Sequence, residues 1–366
     1  MSIICSMFYR SWLKEVSKMS SNKSKEVIHI AYIPEGSLSL VSMYSVLRNT
    51  PEAEINFIIL YSDLTKQELK DIEKLKKIRP FTVRYFKIDE NNFKGFPLAT
   101  WVGIQTWFRF QIPELCPDLN KIIYLDSDTL VRKSLLSLWE MDIRNKVIAG
   151  VEDSRNVKNH ISRLKMKDKS YFNAGVLLLN LKKLRKIAPF QKIKEYVLKH
   201  KDILKYNDQD MLNLLGDGRK MNLPIKYNYM EPWWIDASVE YTGNNKIKYE
   251  KARLDASIVH FVGPKPNGLG CKNTYTKEWW QYAKKLPIYK RELKKIKALD
   301  KPRILQVKSI KFLFFLPLVK IAITQNKKIY SLLGVFPLLE RKSTSHSLKF
   351  NLFKFVPLLK LSKKGK

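Results

Sequence analysis

Lys121-Ile122-Ile123-Tyr124-Leu125-Asp126-Ser127-Asp128 is the stretch on which the reading of this chain turns. KIIYL reads as a short buried strand, and two carboxylates one residue apart follow it directly. Ligands of open α/β sheets bind beyond the carboxyl ends of strands, so a pair placed there is positioned to meet one. Both side chains can approach one divalent cation, and oxygen ligands suit Mg2+ or Mn2+. The plain alternative is a solvated turn with a capping Asp. A phosphatase of the haloacid-dehalogenase type also places D-x-D after an apolar strand, but continues D-x-D-x-T. Here DSDT is followed by Leu130, so the Thr comes one place early, and Met221 stands where a second downstream acid after Asp217 would fall. The spacing argues against that chemistry.

Upstream, Val27 to Ile33, Ile55 to Tyr61 and Phe81 to Ile88 read as strands. Leu40 to Arg48 and Thr65 to Lys77 read as helices, the second opened by Thr65 with Glu68 three places on. This alternation predicts an α/β domain with a largely parallel sheet. Downstream, Val147 to Val151 runs into Glu152-Asp153, Val176 to Leu181 forms another strand, and Ser257 to Val262 contains His260. Asn207 to Leu215 reads as a helix with an acidic first turn.

Each polar cluster has a bland reading beside a chemical one. A strand histidine such as His260 is ordinarily a satisfied core residue; as a third ligand it would shift preference towards Mn2+. Gly263 would let backbone approach a phosphate, and Lys265 would bring it a point charge. Phe172-Asn173-Ala174-Gly175 fits a turn entering a strand. Asn207-Asp208-Gln209-Asp210 fits an N-cap with favourable dipole charges.

Taken in order, FKGFPL (93–98), TWFRF (106–110), KIIYLDSDTLV (121–131), SLWEMD (137–142), YFNAGVLLLNLKK (171–183), NDQDMLN (207–213) and HFVGPKP (260–266) resemble glycosyltransferase family 8. The lipopolysaccharide glucosyl- and galactosyltransferase branch is the most similar. The resemblance implies a GT-A fold, a single Rossmann-like nucleotide-sugar domain with a mixed central sheet. It implies retaining, Mn2+-dependent transfer of glucose or galactose from a UDP-hexose to a saccharide acceptor, with Mg2+ as the other candidate ion. It implies Asp126, Asp128 and His260 as metal ligands. Arg109, Asp126, Ser127, Asn173, Ala174, Gly263 and Lys265 would bind the donor, and Asp153, Asp208 and Gln209 would lie at the reacting sugar. Two segments depart from the family pattern. The first strand ends AYIPEG instead of in acidic base contacts, and the loop after His260 reads G-P-K-P-N, with Asn267 expected to alter acceptor contacts.

The chain has 366 residues and a formal net charge of +34, from 68 basic and 34 acidic residues. That excess points to a polyanion: nucleic acid, an anionic membrane or a phosphate-bearing substrate. No nucleic-acid-binding motif accompanies the lysines, so nucleic acid is not expected. The three cysteines are Cys5, Cys116 and Cys271, widely separated, which excludes a disulfide framework and fits a reducing compartment. The longest apolar run, Phe312 to Ile323, is broken by Pro317 and Lys320, too short to span a bilayer.

Three parts are expected: an N-terminal extension (1–26), a catalytic domain (27–285) and a basic, aromatic C-terminal module (286–366). In the module FFLPLVK, GVFPLLE and KFVPLLK recur, with Pro317, Pro337 and Pro357 twenty residues apart. The prolines oppose one continuous helix. A stacked array packed on the catalytic domain is one reading. Attachment to an anionic membrane is the favoured one, giving a cytoplasmic protein on the inner face of the cytoplasmic membrane and a lipid-linked saccharide as acceptor.

Overall fold

The computed structural model describes residues 25–100, 103–153, 157–231 and 243–299, and six strands between 304 and 362. Most of the N-terminal extension, with Cys5, lies outside the described residues. The chain divides into two compact units, Met1–Glu292 and Leu293–Lys366.

The first unit is built on a seven-stranded sheet in the order β3-β2-β1-β4-β7-β6-β8. Its strands are β1 (Val27–Tyr32), β2 (Glu54–Tyr61), β3 (Thr82–Lys87), β4 (Lys121–Leu125), β6 (Ile148–Glu152), β7 (Phe172–Asn180) and β8 (Lys220–Asn222). β1 to β4 are parallel, but β7 runs antiparallel to both β4 and β6. The sheet is therefore mixed, and the largely parallel arrangement read from the early alternation holds for its first half. Alternate residues feed two cores: Ile28, Ile30 and Tyr32 on one side, Ala31, Ile58 and Tyr124 on the other. Burial on both faces explains why the strands read as continuous apolar runs.

A second sheet of three strands, β5 (Thr129–Val131), β10 (Ile258–His260) and β9 (Tyr229–Met230), sits beyond the end of β4. β5 and β10 pair antiparallel with His260 opposite Thr129, which carries the histidine to the Asp126–Asp128 turn.

The first helix runs Gly36–Asn49 and begins earlier than its apolar pattern indicates. Ser39, Ser42 and Ser45 lie at threefold spacing on its buried face. Ser39 and Ser42 meet Ser127 and Thr129 at 2.8 Å, and Ser45 Oγ accepts from Val131 N at 2.9 Å. Thus a polar face packs on the turn that holds the carboxylates. The next helix, Lys66–Lys74, has the Thr65–Glu68 capping box read from sequence. Among the described residues no helix is long and apolar enough to cross a membrane.

In the second unit, β11 (Ile304–Phe312), β12 (Leu316–Thr324), β13 (Lys327–Leu332), β14 (Phe336–Ser343), β15 (Ser347–Leu352) and β16 (Val356–Ser362) form an antiparallel meander. Each twenty-residue repeat is one hairpin. Pro317, Pro337 and Pro357 each stand second in the returning strand, beside a register shift. Proline is tolerated at strand starts and bulges because no ladder N–H is required there.

Candidate active site

The two carboxylates occupy the link between β4 and β5, and Asp126 is fixed first. Its N–H donates to Gly175 O at 2.8 Å, and its Oδ1 accepts from Tyr124 OH at 2.9 Å and Arg109 Nη2 at 3.1 Å. Asp128 faces His260 Nε2 at 3.2 Å and receives Lys265 Nζ on its other oxygen. Burial works against a charge on Asp128, but His260 and Lys265 outweigh it and hold its carboxyl well below the usual range. Burial likewise opposes charge on Lys265, and Asp128 more than restores it, so its pKa lies above the ordinary value.

His260 is oriented from behind. Its Nδ1 lies 3.0 Å from Asn228 Oδ1, which makes Nδ1 the donor there and turns Nε2 towards the carboxylates. Asn228 Nδ2 donates to Asn173 Oδ1 at 2.9 Å. Asn173 Nδ2 donates to Gln209 Oε1 at 3.2 Å, and Gln209 Nε2 donates to Asp153 Oδ2 at 3.1 Å. One file of amides thus runs from the histidine to Asp153. Phe172 to Gly175 is the first stretch of β7, not a turn before it. Asn213 holds it there: its Oδ1 accepts from Phe172 N and its Nδ2 donates to Phe172 O, both at 2.8 Å.

Single oxygen or nitrogen atoms of Asp126, Asp128 and His260 lie within 4.8 Å of one another. Two carboxylates and one imidazole are a donor set that suits a divalent ion. The backbone also makes room. A Cβ on Gly175 would stand 2.1 Å from His260 Cε1 and 2.9 Å from Asp126 Oδ2, so only glycine fits behind the three ligands. The residues fit a metal ion.

Two cavities meet at this cluster. One of about 540 Å³ is lined by Asn173, Tyr206, Asp208, Gln209, His260 and Gly263. The other, of about 510 Å³, is lined by Ile33, Glu35, Tyr61, Asp63, Gln105 and Ser127. Both include Arg109, Asp126, Asp128 and Lys265. The second opens between the ends of β1 and β4, where the strand order reverses, the usual place for a ligand in an open sheet.

Most of the remaining expected residues fall around these cavities; Asp153, buried behind Gln209, lines neither. Gly263 has φ 89°, a conformation that glycine adopts freely. Arg109 is buried, and its guanidinium donates to Thr106 O, Ala174 O, Tyr124 OH and Asp126 and pairs with Asp208 at 3.2 Å. It braces two acids. The Ser127 hydroxyl donates to Ile33 O at 2.7 Å, so it ties β1 to the turn. Asn267 is tied to its neighbours: its Nδ2 donates to Ser37 Oγ at 3.0 Å and Glu292 Oε2 at 3.2 Å. The Asn207–Gly216 helix is not capped by its NDQD side chains in the expected way. Instead Asp210 Oδ2 accepts from Tyr206 N at 2.7 Å, and Asp208 is left for Arg109.

Asp208 is buried at the cavity wall. Burial raises its carboxyl from 3.8 to about 6, against the pull of Arg109. A shift of that size corresponds to roughly 3 kcal/mol between protonation states. The folded protein holds this proton more tightly than the unfolded chain does. Stability therefore falls as pH rises between about 4 and 6, and the deficit persists above that window. Asp208→Asn carries no such cost. Its melting temperature, measured with chelator present, should rise relative to wild type across that interval and stay higher at neutral pH. A difference that is flat with pH would contradict the shift.

The chain resembles known proteins over the same region. Residues 37–266 match the model for glycosyl transferase family 8. A putative glycosyltransferase of Haemophilus influenzae is 30% identical over 286 residues, covering 71% of this chain and 82% of that one. The lipopolysaccharide 1,2-glucosyltransferase of Escherichia coli K12 is 23% identical over 280 residues, covering 73% of this chain and 77% of that one. The galactosyltransferase LgtC, solved with donor and acceptor sugar analogues, superposes with a TM-score of 0.63 at 27% identity, over 71% of this chain and 96% of its own. The mixed sheet with its carboxylate turn is thus the GT-A fold. With the family model spanning the chain from the first helix to the loop after His260, this chain belongs to glycosyl transferase family 8 and is a glycosyltransferase.

Proposed function

We propose that the chain transfers glucose or galactose, with retention of configuration, from a UDP-hexose to a saccharide acceptor of a lipopolysaccharide or other surface glycan, and that Mn2+ is its ion. The observation that carries this reading is the meeting of two cavities at one three-ligand cluster. A nucleotide sugar has the matching shape: nucleoside in the cavity by Glu35 and Asp63, diphosphate over Asp126 and Asp128, sugar in the cavity by Asn173 and Asp208. The lipopolysaccharide branch is supported by the relatives named above.

Asp126, Asp128 and His260 would hold the ion, which when bound supplies positive charge to the departing diphosphate. Lys265 delivers a second positive charge at the same place, and Gly263 lets the loop backbone approach. Asp208, ionised above about pH 6, balances the positive charge that develops at the anomeric carbon. Gln209 Oε1 already accepts from Asn173 Nδ2 and from Ala174 N, which makes it a poor nucleophile. Gln209, held from behind by Asp153, therefore orients the sugar, and same-face attack by the acceptor accounts for retention.

The reading is tested by hydrolysis of a panel of nucleotide sugars with and without Mn2+, which needs no acceptor. UDP-glucose or UDP-galactose should be turned over only with the ion; turnover of no UDP-sugar would overturn the proposal. Lys265→Ala should lower kcat by about a hundredfold with a smaller change in KM, since its charge matters most as the diphosphate leaves. An unchanged kcat would remove Lys265 from the diphosphate.

A further inference from the structure

The amide file behind His260 has a fixed direction, and two backbone groups of β7 fix it. An Asn or Gln side chain can be turned end for end, so its neighbours decide which end donates. Gly175 N donates to Asn173 Oδ1 at 2.9 Å, and Ala174 N donates to Gln209 Oε1 at 3.0 Å. A backbone N–H only donates, so both amides must present oxygen there. The other orientations follow. Asn173 Oδ1 also accepts from Asn228 Nδ2 at 2.9 Å, which leaves Asn228 Oδ1 facing the imidazole. That oxygen can only accept, so His260 donates to it from Nδ1. At the far end Gln209 Nε2 is left to donate to Asp153.

The direction matters for the ion. Turning an imidazole by half a turn about Cβ–Cγ puts carbon where each nitrogen stood. The pairing of β10 with β5 does not choose between the two settings. The hydrogen bond at Nδ1 does, and it places Nε2 3.2 Å from Asp128 and 3.8 Å from Asp126. A partner that orients a histidine ligand in this way governs metal affinity. Asn228 is wholly buried and lines neither cavity, so it has no substrate to meet. Asn173, by contrast, lines the cavity assigned to the sugar.

We propose, resting on the ion site of the proposed function, that Asn228 and Asn173 are positioning residues for the ion. Asn173 holds Asn228, and Asn228 sets His260 so that Nε2 meets the metal. A side chain of the sugar cavity thereby tunes ion affinity before any sugar is bound.

The test is calorimetric titration of the full chain with Mn2+ alone, without nucleotide. Asn228→Ala should weaken Mn2+ binding about tenfold to a hundredfold. Asn228→Leu, which keeps the volume, should do the same, and melting with chelator present checks that each variant folds. Asn173→Ala should weaken binding by less. Added to Asn228→Ala it should cost nothing further, because its effect runs through Asn228. Donor hydrolysis by Asn228→Leu should approach the wild-type kcat at saturating Mn2+, whereas a general loosening of the site would leave kcat low and overturn the assignment. Additive losses in the double variant would also overturn it, since Asn173 would then act through the β7 backbone. Wild-type Mn2+ binding that neither Asn228 variant weakens would overturn this inference alone. Absence of Mn2+ binding by wild type would overturn it together with the ion of the proposed function.

Discussion

Asp128→Asn should reduce the proposed Mn2+-dependent sugar transfer at least a thousandfold and Mn2+ affinity at least about a hundredfold, because one of the three proposed ligands becomes neutral. The carboxylate is buried against His260 Nε2 at 3.2 Å and Lys265, and it is held ionised at any working pH. The amide keeps its shape and loses the charge. The defect should therefore appear in ion binding first and in catalysis as a consequence. Calorimetric titration with Mn2+ and single-turnover donor hydrolysis separate the two. Lys265 is about one-third exposed and can reach water, so the variant should still fold. Wild-type rates would remove Asp128 from the reaction.

Gly175→Ala should be almost as severe, with a loss of several-hundredfold or more in kcat/KM, although it removes no functional group. The new methyl would lie 2.1 Å from His260 Cε1 and 2.6 Å from its Nδ1. The backbone cannot yield easily, because Gly175 O accepts from Asp126 N and Val176 pairs with Leu125 across the ladder. The imidazole must move instead and give up Asn228. The cause is checked by a double-mutant cycle with His260→Ala. Once the ring is gone the methyl has much less to displace, so the second substitution should add little. Additive losses would mean that alanine harms the strand and not the ligand.

The sequence carries most of this fold, because buried strands announce themselves as apolar runs between turn residues. β1, β2, β4, β6 and β10 are legible in that way. The first helix is not, since Ser39, Ser42 and Ser45 read as polar although their hydroxyls are satisfied inside the core. The reversal of β7 is also illegible, because an apolar run does not record the direction of its partner. At the site, Asp126, Asp128 and His260 are found by residue type and position after a strand. Asn228 is missed: it sits in KYNYM with no spacing to distinguish it, and its importance comes only from touching His260 and Asn173. The tail repeats are visible as repeats, but their prolines read as helix breakers and conceal hairpins with bulges.

The pairing of β5 with β10 has a consequence for how the protein is made. Thr129 and His260 are neighbours in space but stand at opposite ends of a long stretch of chain. During synthesis the carboxylates emerge well before the imidazole that completes their set. Contacts of such sequence separation form late, because a large loop must close before they reward it. The ability to hold the ion should therefore appear near the end of folding, after the parallel strands have assembled. Mn2+ capture would then serve as a clock for completion of the nascent chain.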